Sequence, residues 1–346
     1  MKIRRLSVQN VRSHTEKIIE LSPKTTVITG NNGVGKTTLL EAIYIALQGS
    51  SFKGVDKDIL RYDAPWYRID ILLDDDTTRS VLFDPSRTSG KKRFIINNKT
   101  SYRMSLHDKY PVVLFEPEDL RLLHGSPSRR RQFIDHFITQ IDPAYTTTLR
   151  KYERALKQRN TLLKKEDVTN EDLFVWNVAL SEYGAKIVER RVYAIEMINK
   201  DLDDYYHTIA DTNDHISAHY SDTLIDSLSQ KLLHELENKL HYDKVVKHTS
   251  IGPHRHDVEF RFNDSPALSV ASRGEVRTIM LALKNIEVQL IQKITTKQPI
   301  VLLDDVFSEL DTSRQSRTIL GQDSQTIVSA THFDIKQDGI LFQELH

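Results

Sequence analysis

The sequence predicts an α/β fold whose core is assembled from both ends of the chain, with a helical arm inserted between them. Three features carry that prediction. Gly30-Asn31-Asn32-Gly33-Val34-Gly35-Lys36-Thr37 fits G-x-x-x-x-G-K-[ST] at every fixed position. Pro299-Ile300-Val301-Leu302-Leu303 is an uninterrupted apolar run that ends on Asp304-Asp305. Between them, long and apolar side chains recur in alternating steps of four and three, the rhythm of paired helices.

In chain order, residues 3–11 and 17–21 read as a hairpin, and Thr25-Thr26-Val27-Ile28-Thr29 as a buried, β-branched strand. Leu39, Leu40, Ile43 and Leu47 then recur at helical spacing. The glycine-rich segment therefore sits on a strand–loop–helix turn, the context that separates a phosphate cradle from a glycine-rich turn that binds nothing. Glycines let successive N–H groups curl around phosphate oxygens at the positive end of a helix. Lys36 would reach the β- and γ-phosphates, and the Thr37 hydroxyl would ligate Mg²⁺. Residues 69–73, 79–83 and 93–96 are further short strands. Asp74-Asp75-Asp76 between them reads as a solvated turn rather than a metal cluster.

The texture changes near residue 126. Ser126-Pro127 and Asp142-Pro143 each have the form of a cap followed by proline at the first helical position. Tyr145, Leu149, Tyr152, Leu156, Arg159 and Leu163 follow the heptad rhythm, and residues 164–170 form a polar turn. The rhythm resumes at Leu173, Trp176, Leu180, Tyr183, Ile187, Arg190 and Ala194. This pattern predicts an antiparallel helical hairpin, either a projecting arm or an ordinary helical subdomain. Beyond residue 245 the pattern returns to α/β, with a strand at 258–262, a helix at 277–294 and apolar strands at 299–303 and 326–328. Uninterrupted apolar strands suit a parallel sheet buried on both faces. A carboxylate delivered by such a strand is the Walker B arrangement, which sets Asp304 beside the Mg²⁺. Asp305 would orient or deprotonate the attacking water. Alone, the pair would read equally as two solvated acids at a strand end.

Composition narrows the rest. Forty-eight basic side chains balance 48 acidic ones, so any nucleic-acid surface must be a local patch. With no cysteine, disulfides, thiolate metal sites and thiol catalysis are excluded. No apolar run approaches the ~20 residues of a membrane span, and Met1-Lys2-Ile3-Arg4-Arg5-Leu6 lacks a signal-peptide core. The expectation is a soluble, cytoplasmic protein with no membrane partner.

The order of P-loop, helical insertion, Ser272-Arg273-Gly274-Glu275, Leu302-Leu303-Asp304-Asp305 and Ser308-Glu309-Leu310-Asp311 resembles the ABC-type ATPases of chromosome maintenance and repair. Within that group the chain is similar to the RecF family of bacterial recombination mediators. The likeness rests on Asn10-Val11-Arg12-Ser13, Phe115-Glu116-Pro117-Glu118-Asp119-Leu120, the segment from Gly125 to Asp135, and Gly252-Pro253-His254-Arg255-His256-Asp257. In the last of these His256 precedes the acid that usually follows directly. The His254 and His256 pair resembles a metal site, beside a hairpin-edge reading of the same residues.

The resemblance implies an ATPase head on residues 1–125 and 245–346 and an inserted helical, coiled-coil-like arm on 126–244. It implies a composite site for ATP and Mg²⁺ built on the P-loop, with Arg12 and Thr38 beside it. Ser272 and Gly274 would contact the γ-phosphate bound by an opposite subunit. Thr331 or His332, in Ser329-Ala330-Thr331-His332, would sense that phosphate. ATP would drive homodimerisation, and weak, DNA-stimulated hydrolysis would release it. The implied partners are single-strand/duplex junctions or gapped duplex, and RecO and RecR in loading the recombinase. Candidate phosphate contacts are Lys91, Lys92 and Arg93, then Arg129, Arg130 and Arg131, then Arg150, Lys151, Arg154, Lys157 and Arg159 along the arm, although each run by itself reads more readily as a solvated face. The alternative function is an ATP-gated structural clamp that does not hydrolyse, since Asp305 stands where many relatives carry glutamate. A metabolite kinase would need an acceptor site, and a transporter ATPase a membrane partner that the long insertion argues against.

Overall fold

The computed structural model describes residues 1–222, 226–306, 323–331 and 340–345. Two compact units divide the chain: Met1–Asp119 with Glu287–His346, and Leu120–Ile286.

The first unit begins with β1 (Ile3–Val11) and β2 (His14–Glu20), the expected antiparallel hairpin, in the register Leu6↔Ile19. β3 (Thr25–Gly30) runs into the glycine loop and α1 (Lys36–Gln48), and α2 (Asp56–Ile59) is a single turn. β4 (Tyr67–Leu73), β5 (Thr78–Phe83), β6 (Lys92–Ile96) and β7 (Lys99–Ser101) complete a six-stranded antiparallel sheet in the order β2-β1-β4-β5-β6-β7. Its alternation is that of a sheet covered on one side: Tyr67, Ile69, Ile71 and Leu73 are buried, while Arg68 and Asp70 point to the other face. Asp74, Asp75 and Asp76 form an exposed turn in which Asp75 accepts from the Thr77 N–H and hydroxyl. β8 (Val112–Phe115) starts a second sheet.

The second unit opens with α3 (Pro127–Ile141), α4 (Pro143–Leu162) and α5 (Asn170–Ala210). Both Pro-led starts are as expected, and Asp142 caps α4 by accepting from Ala144 N at 2.9 Å. Thr169 and Asp172 cap α5 reciprocally. The hairpin partners differ in length: α4 has 20 residues and α5 has 41. The spacing of α5 continues through Ile195, Ile198, Leu202, Tyr206 and Ile209, all buried, a run the shorter expected helix stopped before. β9 (Ile216–Tyr220), α6 (Leu228–Asn238), α7 (Leu240–Val246), β10 (Val258–Phe262), β11 (Ser265–Pro266) and α8 (Ala267–Val270) follow. β10 pairs antiparallel with β9, Val258↔Tyr220, so residues 245–286 are tied to this helical unit by main-chain hydrogen bonds. α9 (Arg273–Thr295) begins four residues before the expected start.

β12 (Ile300–Asp304), β13 (Thr326–Ala330) and β14 (Ile340–Leu345) return to the first unit. They join β3 and β8 in a five-stranded sheet of order β14-β3-β13-β12-β8, every pair parallel. α1 is buried on all sides between this sheet and the antiparallel one: Leu39, Leu40, Ile43 and Leu47 are fully covered. Ser308-Glu309-Leu310-Asp311 lies outside the described residues. Among the described residues no helix is long and apolar enough to cross a membrane.

Candidate nucleotide-binding site

The site is built where β3 ends. Gly30, Gly33 and Gly35 all take positive φ, and Gly35 is the left-handed residue at the start of α1. Gly35 has φ +96°, where any other side chain would be strained, and its Cβ would also have to displace the His14 ring and the Ser13 hydroxyl. The Lys36 ammonium donates to the carbonyls of Gly30 at 2.7 Å and Asn31 at 3.0 Å, which hold it inside the loop. Val34 packs against the core instead. Asn32, Gly33, Gly35, Lys36, Thr37 and Thr38 form one wall of a cleft of about 350 Å³, and Arg12, Ser13, Asp305 and Ser329 form the rest.

The opposite wall comes from the other end of the chain. β13 lies between β3 and β12 in a register that pairs Thr29 with Ala330 and Ser329 with Asp304. Thr37 Oγ1 therefore donates to Asp304 Oδ1 at 2.6 Å, across 267 positions of sequence. Ser329 Oγ donates to the same oxygen at 2.7 Å, and Lys53 Nζ bonds Asp304 Oδ2 at 3.0 Å. Asp304 is only 2% exposed. A carboxylate so deep needs a compensating cation, and Lys53 supplies one. A hydroxyl and a carboxylate converging beside a stand-in ammonium are the oxygen donors a hard divalent cation takes, so Thr37 and Asp304 fit Mg²⁺. Bound there, the ion would neutralise charge on the phosphates.

Asp305 has φ +53°, a left-handed conformation that Asp tolerates better than most residues. Its N–H donates to the Ser329 carbonyl at 3.0 Å and hydroxyl at 3.1 Å. Those bonds hold the backbone that presents Asp305 to the cleft. Thr331 directly follows β13 and is half-buried; His332 lies outside the described residues.

Four residues of this region were given no role by the sequence reading. Glu41, 1% exposed on α1, takes the Arg12 guanidinium at 2.9 Å and the Ser51 hydroxyl, and so positions Arg12. An acid inside Leu39-Leu40-Glu41-Ala42-Ile43 was the available signal. Lys53 and Ser329 are ordinary in sequence, and only the fold brings them to Asp304. Glu116 follows β8, whose Phe115 pairs with Leu303. Burial and then the neighbouring Asp119 push its carboxyl up to about 7, against the pull of Lys53.

The second unit holds the other candidates. Ser272 and Glu275 form a reciprocal cap at the start of α9: Ser272 N donates to Glu275 Oε2 at 2.6 Å, and Glu275 N to Ser272 Oγ at 3.3 Å. Gly274 lies in that first turn. Arg129 is half-buried. Arg130 grips Asp257 through two bonds of 2.8 and 2.7 Å and also donates to Gly125 O, while Arg131 donates to His256 O at 2.7 Å. Their donors hold the fold together rather than reaching outward. Arg159 corrects the reading of the arm outright. It is fully buried, donating to Asn177, Asp243, Thr249 and the Leu236 carbonyl, so it contacts no DNA. Arg150, Lys151, Arg154 and Lys157 are exposed on α4. His254 bonds Tyr152 Oη at 2.6 Å and Thr249 O at 3.0 Å, whereas His256 meets Tyr220 Oη at 3.0 Å. In the first unit Lys91 is exposed, Lys92 pairs with Asp56 and Arg93 is half-buried.

A family profile described as "AAA domain" matches residues 5–248. The "DNA replication and repair protein RecF" of Streptococcus agalactiae serotype V is 35% identical over 96% of this chain and 92% of its own length. The protein of that name from Streptococcus pyogenes serotype M49 is 34% identical over 96% and 93%. A solved structure described as "Structure of the recombination mediator protein RecF-ATP in RecFOR pathway" superposes with a TM-score of 0.86 at 27% identity, covering 97% of this chain and 94% of that one. An SmcHead structure at 16% identity, covering 96% and 90%, has a TM-score of 0.54 and shares the fold, a mixed α/β ABC-type ATPase head.

Proposed function

The chain belongs to the RecF family of DNA replication and repair proteins, and we propose that it is an ATP-operated clamp for gapped or junction DNA. The observation that carries this reading is the 2.6 Å contact between Thr37 and Asp304, which joins the phosphate loop to the acidic strand end. In this reading Lys36 leaves its loop carbonyls for the β- and γ-phosphates. Thr37 and Asp304 hold Mg²⁺, and Asp305 orients the attacking water or takes its proton. Arg12, fixed by Glu41, lies at the nucleotide. Ser272 and Gly274 of a second copy close over the γ-phosphate, which the exposed start of α9 favours electrostatically. Thr331 or His332 senses that phosphate.

ATP is then the ligand that stabilises the dimer, and hydrolysis times its release. The dimer grips DNA through backbone phosphates, with Lys91, Lys92 and Arg93 on the first unit and Arg129 on the second as contacts. It works in the cytoplasm with RecO and RecR to load a recombinase.

The test is sizing by light scattering with and without ATP–Mg²⁺, then with gapped duplex. The mass should double with nucleotide, and a mass that stays monomeric at saturating ATP refutes the clamp. Lys36→Met should abolish both dimerisation and turnover. Asp305→Asn should keep the ATP-bound dimer while turnover falls by about 10²–10³-fold; unchanged turnover removes Asp305 from the chemistry.

A further inference from the structure

We propose that the outer face of the six-stranded sheet carries a site for one unpaired nucleotide of a single-stranded nucleic acid, its base against Trp66 and its flanking phosphates on Lys91 and Arg93. The proposal rests on the DNA-binding reading above, shares Lys91 and Arg93 with it, and adds an aromatic contact that only the unpaired strand of the junction can use.

The site is a cross-strand row. Pairing places Gln9 beside Arg68, Arg68 beside Leu82, and Leu82 beside Arg93, so these four side chains share the face opposite the core. Leu82 is the apolar floor, with Arg68 on one side and Arg93 on the other. Along this row, lined by all four of its residues, a cleft of about 270 Å³ opens, with Trp66, Asp84 and Lys91 on its rim. Trp66 immediately precedes β4 and is 40% exposed, a large aromatic surface left to solvent. Behind it Tyr67 and Phe83 stack with ring centroids 5.4 Å apart, and Tyr67 Oη bonds Asp56 at 3.0 Å, which fixes the backbone that carries Trp66.

The charges suit a polyanion threaded past an aromatic plane. Arg68 is neutralised by Asp70 at 2.7 Å. Asp84, the acid at the rim, is turned into its own loop by the Ser86 N–H and hydroxyl. Asp84 keeps its charge beside Arg93, but Lys91 and Arg93 together outnumber it, so the rim is positive on balance. A flat apolar face with cations beside it is how proteins hold unpaired bases without reading their sequence. A duplex keeps its bases stacked inside and offers Trp66 nothing to stack on. The site therefore favours the single-stranded side of a junction.

The chain has two tryptophans, so Trp176→Phe leaves Trp66 as the one emitter. The test titrates that full-length variant with oligothymidylate of about 12 nucleotides in ATP–Mg²⁺ at low salt. Trp66 emission should be quenched as the oligonucleotide binds. Trp66→Ala should weaken binding of a labelled oligothymidylate by roughly 5- to 150-fold, Trp66→Phe should restore most of it, and Lys91→Glu with Arg93→Glu should flatten its salt dependence. Blunt-duplex binding and the ATP-dependent mass should be unchanged in Trp66→Ala. Unquenched emission at saturating oligonucleotide, or equal affinity after Trp66→Ala, overturns the site. A chain that quenches but never dimerises with ATP keeps this site and loses the clamp. One that dimerises and grips duplex with a silent Trp66 does the reverse.

Discussion

Asp243 and Asp304 are both buried carboxylates, one in each unit, and they are satisfied in opposite ways. Asp243 in the helical unit is fully covered, as is its partner Arg159 at 2.7 Å. Its other oxygen accepts from Ser250 N, and Arg159 spends further donors on Asn177, Thr249 and the Leu236 carbonyl. The two charges answer each other inside the fold, although Asn177 Nδ2 beside them finds no partner. Asp304 is nearly as deep, but one of its oxygens is held by Lys53, whose side chain is 32% exposed. Its counter-charge is partly open to solvent, where the proposed metal ion would take its place. A buried pair whose charges answer each other fixes a fold, whereas a buried acid with an exchangeable cation is poised to bind.

Breaking the buried pair of the helical unit should have the largest effect. Arg159→Ala should cost the helical unit about 3–5 kcal/mol, read by thermal or denaturant unfolding, while ATP affinity is retained. The joint replacement Arg159→Met with Asp243→Leu should recover most of that loss; if it recovers none, the pair does more than satisfy itself. A smaller effect is expected at the open site. Lys53→Ala should lower stability by about 1–3 kcal/mol without nucleotide, because it strands a buried acid. ATP with Mg²⁺ should shrink that deficit, since the ion supplies the missing charge. A deficit of equal size in both conditions would mean Lys53 is not exchanged.

The smallest effect is in pH, with opposite signs in the two units. Burial holds His254 neutral and lowers its pKa from 6.5 to about 4. The unfolded chain takes up that proton first, so stability falls as pH drops from 6.5 toward 4. Glu116 is raised from 4.5 to about 7, so the folded chain keeps a proton that the unfolded chain has lost. Its contribution falls as pH rises from 4.5 toward 7. Melting temperatures of His254→Gln and Glu116→Gln against pH should flatten in those two windows respectively, each by less than about 1.4 kcal/mol per pH unit. A flattening in the other's window would overturn the assignment.

Much of the site was legible because phosphate chemistry constrains local sequence tightly. The loop from Gly30 to Thr37 and the acid that ends β12 could be read directly, since each needs a fixed run of residue types on one strand end. Lys53 could not: a lysine in a loop has no signature, and its partner lies 251 positions away. Arg159 misled for the same reason. A heptad position accepts a long side chain whether it faces solvent or a buried acid, and Asp243 was too distant in sequence to declare itself. The true end of α5 was readable from its spacing, which continues unbroken to Ile209.

Sequence by itself determined the first hairpin, the phosphate loop with its strand and helix, the paired helices, the apolar strands near the end, the family and the absence of thiol chemistry, because these depend on residue types at short spacing. The tertiary structure alone decided which charges are buried together, which arginines remain available, and that Ser329 of β13 bridges the acidic strand to the phosphate-loop strand. Those outcomes depend on strand order and register, and a β14-β3-β13-β12-β8 sheet brings together residues that no local pattern relates.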